Sequence, residues 1–120
     1  TGERRFQVEF PRRAGEVVKR LIGQGDDVEV LCEDGQVYPM TFPFYEDNAM
    51  YRLNIQNSVP GVAWARANRD GIALVERGPE GGPPLRLRLL RPGPDLTEVM
   101  ARSYALGTWD RTRTRLYGWY

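Results

Sequence analysis

The chain has 120 residues, 41% hydrophobic and 28% charged, enough for one domain with a single core and inconsistent with wholesale disorder. With no histidine, one cysteine and a net charge of +1, it lacks the usual general base, a His/Cys zinc site and a thiol–imidazole nucleophile. No apolar run approaches the roughly 18 residues of a membrane helix, nothing resembles a signal peptide, and the lone Cys32 fits a reducing cytoplasm.

Taken in order, Arg5–Phe10 alternates Phe6, Val8 and Phe10 against Arg5, Gln7 and Glu9 and predicts a strand. Pro11 ends it and suits the first turn of a helix. In Arg12–Ile22 the apolar positions Ala14, Val17, Val18, Leu21 and Ile22 follow the spacing of a helix with one buried face, stopped by Gly23 and Gly25. Two apolar-rich runs then flank Glu33-Asp34-Gly35-Gln36, a strong hairpin signal. Val28, Val30 and Cys32 share one face of the first arm, and Tyr38, Met40, Phe42 and Phe44 form a bulky apolar face on the second. Glu46-Asp47-Asn48 predicts a polar turn, and Ala49–Ile55 a strand with Tyr51, Leu53 and Ile55 opposite Met50, Arg52 and Asn54.

Beyond Pro60-Gly61 a short helix is expected over Val62–Ala67, then a turn at Asn68-Arg69-Asp70-Gly71 and a strand over Ile72–Arg77. Gly78–Pro84 is too rich in Gly and Pro for regular structure, and Leu85–Leu90 alternates leucine with Arg86 and Arg88. Asp95 with Glu98 resembles a capping box opening a helix whose stripe is Leu96, Val99, Met100 and Tyr104, ending at Gly107. Trp109–Tyr120 alternates as a terminal strand. One domain is expected over residues 1–120, mostly β, with its core over about 5–92 and a helix–strand extension over 93–120. The opening on Thr1 reads as a domain cut from a longer protein.

Four constellations bear on function. Trp109, Arg111, Arg113, Arg115, Tyr117, Trp119 and Tyr120 combine cations at every second position with stacking surfaces, which suits nucleic acid, or equally the solvated face of a closing strand. Residues 26–47 carry seven acids and no base, but turn and loop chemistry accounts for Asp26, Asp27 and Asp34, and the spacing matches no calcium loop. Ser58 and Ser103 have no nucleophile elbow and no histidine, and Gly78–Gly82 has no following Lys-Ser/Thr, so serine catalysis and a phosphate loop are excluded. Tyr45–Asn57 presents Asn48, Arg52, Asn54, Gln56 and Asn57, the amide and guanidinium groups that read adenine and guanine edges, or else the polar side of an edge strand. Every base but Lys19 is arginine, which fits phosphate and guanine contacts and fits a GC-rich coding sequence as well.

Three segments resemble the B-three DNA-binding domain of plant transcription factors and its relatives in bacterial restriction endonucleases. They are Phe6-Gln7-Val8-Glu9-Phe10-Pro11-Arg12-Arg13; Asp34–Met40 followed by Tyr51-Arg52-Leu53; and Asn68–Arg77 with Leu85–Leu90, where Asp70 and Gly71 stand transposed. The resemblance implies an open pseudobarrel of about seven strands with two or three short helices. It also implies a DNA major groove gripped by two arms, here Gly2–Gln7 with Arg4 and Arg5, and Tyr45–Asn54 with Asn48, Arg52 and Asn54. The second arm departs from its usual basic character by holding Glu46 and Asp47.

The expectation is therefore a non-catalytic module that recognises a sequence in double-stranded DNA, needs no cofactor, has no membrane partner and is tethered to a nuclease or regulatory domain. Arg111, Arg113 and Arg115 would add phosphate contacts. The rival readings are a protein-interaction or small-ligand β domain with an aromatic surface of Trp64, Trp109 and Trp119, and a magnesium-dependent nuclease using Asp27 or Glu29.

Overall fold

The computed structural model describes residues 6–68, 70–111 and 116–118. Its elements in order are β1 (Phe6–Pro11), α1 (Arg12–Ile22), β2 (Asp27–Leu31), β3 (Val37–Thr41), β4 (Phe44–Tyr45) and β5 (Met50–Ile55). There follow α2 (Val62–Ala67), β6 (Ile72–Arg77), β7 (Leu85–Leu90), α3 (Pro94–Leu106), β8 (Trp109–Arg111) and β9 (Leu116–Gly118).

The Asp-Gly hairpin forms in the register that its apolar face requires, with Val28 opposite Met40 and Val30 opposite Tyr38. Gly35 supplies the positive φ of the turn (80°), and Cys32 and Gln36 close it by a backbone hydrogen bond of 3.0 Å. This hairpin is the middle of a seven-stranded sheet ordered β1-β5-β3-β2-β7-β6, with β4 also on β5, curled into a nearly closed, barrel-like layer. The chain is thus an α+β pseudobarrel. All pairings are antiparallel except β2 with β7, where Val30 and Leu31 run parallel to Leu85 and Arg86.

One corner of the barrel lies between β3 and β4. Thr41 pairs with Asn54, and Phe44 and Tyr45 continue that register against Tyr51 and Met50. At the step, the Phe42 amide donates to the Asp26 carbonyl (2.7 Å), on the β2 side, and the Pro43 carbonyl accepts from the Arg52 amide (3.1 Å), on the β5 side. Proline is tolerated because no donor is needed there. Phe42, held at this corner, is fully buried; it stacks on Tyr51 (centroids 5.0 Å apart, planes at 11°) and meets the edge of Phe10 at 5.4 Å. Val30, Leu53, Ile55, Val62, Leu85 and Leu87 fill the rest of the interior. Burying each such side chain contributes about 1.5–3 kcal/mol.

The structure corrects the sequence reading at four places. Val17, placed on the buried face of α1, is 41% exposed; Gly15 is buried instead, because the helix approaches β5 through its backbone. Pro11 ends β1 and caps α1 from outside rather than entering its first turn. The capping box at Asp95 does not form, since α3 starts two residues earlier than such a cap requires, at Pro94 after the N-cap Gly93, and Glu98 pairs with Arg102 (2.9 Å). The tail forms two short strands, β8 and β9, paired with each other in a separate sheet with Arg111 opposite Leu116, instead of one strand.

Candidate nucleic-acid interface

β1 and β5 pair so that their polar positions meet on the outer face of the sheet, Gln7 opposite Asn54 and Glu9 opposite Arg52. The Gln7 amide donates to Asn54 Oδ1 (2.8 Å), and Asn54 Nδ2 donates to Thr41 Oγ1 (2.9 Å). A bidentate contact to adenine uses both the oxygen and the nitrogen of an asparagine amide, and in Asn54 both are engaged within the sheet. Arg52 Nε lies 3.3 Å from Glu9 Oε2, and its guanidinium stacks over the Tyr45 ring at 4.6 Å. With side chains only 23% and 20% exposed, Arg52 and Glu9 form a half-buried pair that braces the base of the β4–β5 hairpin.

That hairpin ends in a four-residue turn, Glu46 to Ala49, whose Glu46, Asp47 and Asn48 are all exposed. The Ala49 amide closes it onto the Glu46 carbonyl (3.2 Å), and Ala49 takes a positive φ of 52°. Of the predicted site residues, Asn48 is thus held out toward solvent, while Arg52 and Asn54 lie together along the strand behind it. Arg4, Arg5, Arg113 and Arg115 lie outside the described residues, and Arg111 is described by its backbone in β8. The turn adjoins the Pro11 end of β1, since Pro11 pairs with Met50, whereas Phe6 pairs with Ile55 at the far end of the ladder.

The cations of α1, which follows Pro11, had no site role in the sequence reading. α1 carries Arg12, Arg13, Lys19 and Arg20 against Glu16 alone, a signal present in the composition of that helix. A shallow groove of about 550 Å³ runs between the helix and the hairpin, with Phe44 and Tyr51 on the strand side and Arg12, Glu16, Lys19 and Arg20 on the helix side. Arg12 pairs with Glu16 (3.2 Å) and lies 5.8 Å from the Phe44 ring centroid; Lys19 donates to the Gly25 carbonyl and pairs with Asp26 (3.3 Å).

Within the acidic stretch, Asp26, Glu33 and Asp34 are engaged in the fold. Glu33 Oε1 accepts from the Leu89 amide (3.1 Å), beyond the point where the β2–β7 backbone pairing stops. Asp34 accepts from the Gln36 amide (3.0 Å) and the Tyr38 hydroxyl (2.6 Å), which together hold its carboxyl below the usual carboxylate range. Among the described residues, no three metal-ligating side chains come together. Trp64 is half-buried against Gly71, with the Arg91 guanidinium 5.0 Å from its ring centroid. No helix among the described residues is long and apolar enough to cross a membrane. No protein-family model, curated protein or solved structure matches the chain.

Proposed function

We propose that the chain is a non-catalytic module of the B-three-like type that reads a short site in double-stranded DNA, as the specificity or effector part of a restriction endonuclease or a regulator. The observation that carries this reading is the β4–β5 turn: three exposed hydrogen-bonding side chains, Glu46, Asp47 and Asn48, on a hairpin braced by Arg52, Glu9 and Tyr45. Asparagine offers the donor–acceptor pair that matches adenine, and carboxylates accept from the cytosine amino group. Glu46 and Asp47 are repelled by phosphate, so a turn with this chemistry suits base edges in a groove and not the backbone.

Arg52 takes a different part from the one its side chain type suggested. Held between Glu9 and Tyr45, it positions the hairpin rather than reaching out from it. Fluorescence anisotropy with a randomised duplex pool, at low and moderate salt, tests the reading. Salt-dependent binding that enriches particular sequences, and loses that enrichment in Asn48→Ala, is the expected result. An absence of binding even at low salt sinks the reading.

A further inference from the structure

Three polar side chains stand in a row across the outer face of the sheet, level with one another in the ladder: Gln7 on β1, Asn54 on β5 and Thr41 on β3. We infer, resting on the DNA reading, that Gln7 is a further specificity-determining residue, which reads an adenine in the same duplex. Asn54 is then the positioning residue that orients its amide.

The hydrogen bonds of the row run in one sense. Gln7 Nε2 donates to Asn54 Oδ1 (2.8 Å), and Asn54 Nδ2 donates to Thr41 Oγ1 (2.9 Å). Asn54 and Thr41 are half-buried, whereas Gln7 is the exposed end of the row. One hydrogen of Gln7 Nε2 goes to Asn54; the other hydrogen and Oε1 have no partner among the described residues. An acceptor beside a donor is the edge that matches N6 and N7 of adenine in the major groove. The terminal torsion of a free glutamine is broad, so its amide turns either end outward. The bond to Asn54 selects one end before DNA arrives, which lowers the ordering cost of the contact. A row running in the opposite sense would turn two N–H donors outward, an edge for guanine.

The surroundings favour a base edge over the backbone. The row holds no cation, the next pair along the ladder is Glu9 with Arg52, and the β2 partner of Thr41 is the exposed Asp27, which phosphate repels. Position then sets where the second base falls. From Asn54, level with Gln7, back to Met50 is four residues of strand, about 13 Å, and Asn48 lies two residues farther. At about 3.4 Å per base pair, the base met by Gln7 stands about four to six base pairs from the base met by Asn48.

The test is selection by the whole chain from a randomised duplex pool at about 50 mM salt, with the bound duplexes sequenced position by position. Gln7→Ala is expected to keep the preference that Asn48→Ala loses. It should itself lose a preference for adenine of about 5- to 150-fold, at a position about four to six base pairs away. Asn54→Leu is expected to lose that same preference. Asn54→Asp, whose carboxylate still accepts from Gln7, is expected to keep it, although the added charge weakens binding to every duplex. A preference lost in Asn54→Asp as in Asn54→Leu removes Asn54 from the positioning role. If the wild type enriches a site and Gln7→Ala changes no position in it, or if the base lost is guanine, the inference fails while the DNA reading stands. If the wild type binds no duplex at about 50 mM salt, the DNA reading fails and takes this inference with it.

Discussion

Gly15 and Tyr51 meet backbone to ring: a β-carbon at Gly15 would stand 2.7 Å from Tyr51 Cγ and 2.9 Å from its Cβ. This close approach seats α1 on β5, and through Tyr51, which also packs on Phe42 and Phe44, it sets the wall of the groove. Alanine at position 15 would gain about 0.8–1 kcal/mol of helix propensity. Overpacking costs about 1–3 kcal/mol, and the neighbour here is a ring already stacked on Phe42 and tilted against Phe44. Gly15→Ala should therefore be less stable than wild type, by up to about 2 kcal/mol, in urea denaturation. A variant more stable than wild type by about 0.8–1 kcal/mol would show that Tyr51 can move aside at no cost.

The β4–β5 turn stores strain at Ala49. A residue with a β-carbon in the left-handed region costs about 1–2 kcal/mol, and glycine removes that cost while losing about 0.5–1 kcal/mol through its freer unfolded chain. Ala49→Gly should raise stability by about 0.5–1 kcal/mol, read as a higher urea midpoint at constant m-value. A lower midpoint would mean that the side chain contributes packing that outweighs its backbone.

The Asp34–Tyr38 hydrogen bond makes the hairpin sensitive to pH at both extremes. Tyr38 lowers the Asp34 pKa, so the carboxylate's contribution is present above the unfolded value of a carboxyl and is lost as pH falls through the lowered folded value. The same bond, with some burial, raises the Tyr38 pKa, so its contribution is present below the ordinary tyrosine value and is lost as pH rises through the raised one. Tyr38→Phe should be less stable than wild type at neutral pH, and thermal unfolding should show the two converging below the ordinary carboxylate range. A gap that persists at low pH would assign the effect to packing of the ring.

Cys32 should be inert in the folded protein. Its Sγ donates to the Val30 carbonyl at 3.8 Å inside the core, and burial, with the charges of Asp34 and Glu33, pushes the thiol up to about 11. At pH 8 almost none of it is thiolate, the form that reacts. Ellman's reagent should give no signal with native protein over minutes and one thiol per chain in denaturant. Rapid native labelling would mean that the hairpin opens locally.

Much of the fold was legible in local pattern. The alternation of Val28, Val30 and Cys32 against Met40 and Phe42, with Asp-Gly between them, needs only the pleat of a strand and the geometry of a turn, and these five side chains are buried where the alternation put them. The 3.6-residue spacing of α1 likewise gave a helix, and the polar run after Tyr45 a turn with Asn48 exposed. The remaining features join residues far apart in the chain. Glu9 finds Arg52, Glu33 finds the Leu89 amide, β2 lies parallel to β7, and Gly15 replaces Val17 against the core. No local preference specifies such partners, because the energy that selects them is the burial of whole sheet and helix faces against each other. So the sequence alone determined the Asp-Gly hairpin, the helical span of α1 and the apolar alternation of β2 and β3; tertiary packing alone decided that Arg52 is braced by Glu9 and that Gly15, not Val17, meets the sheet.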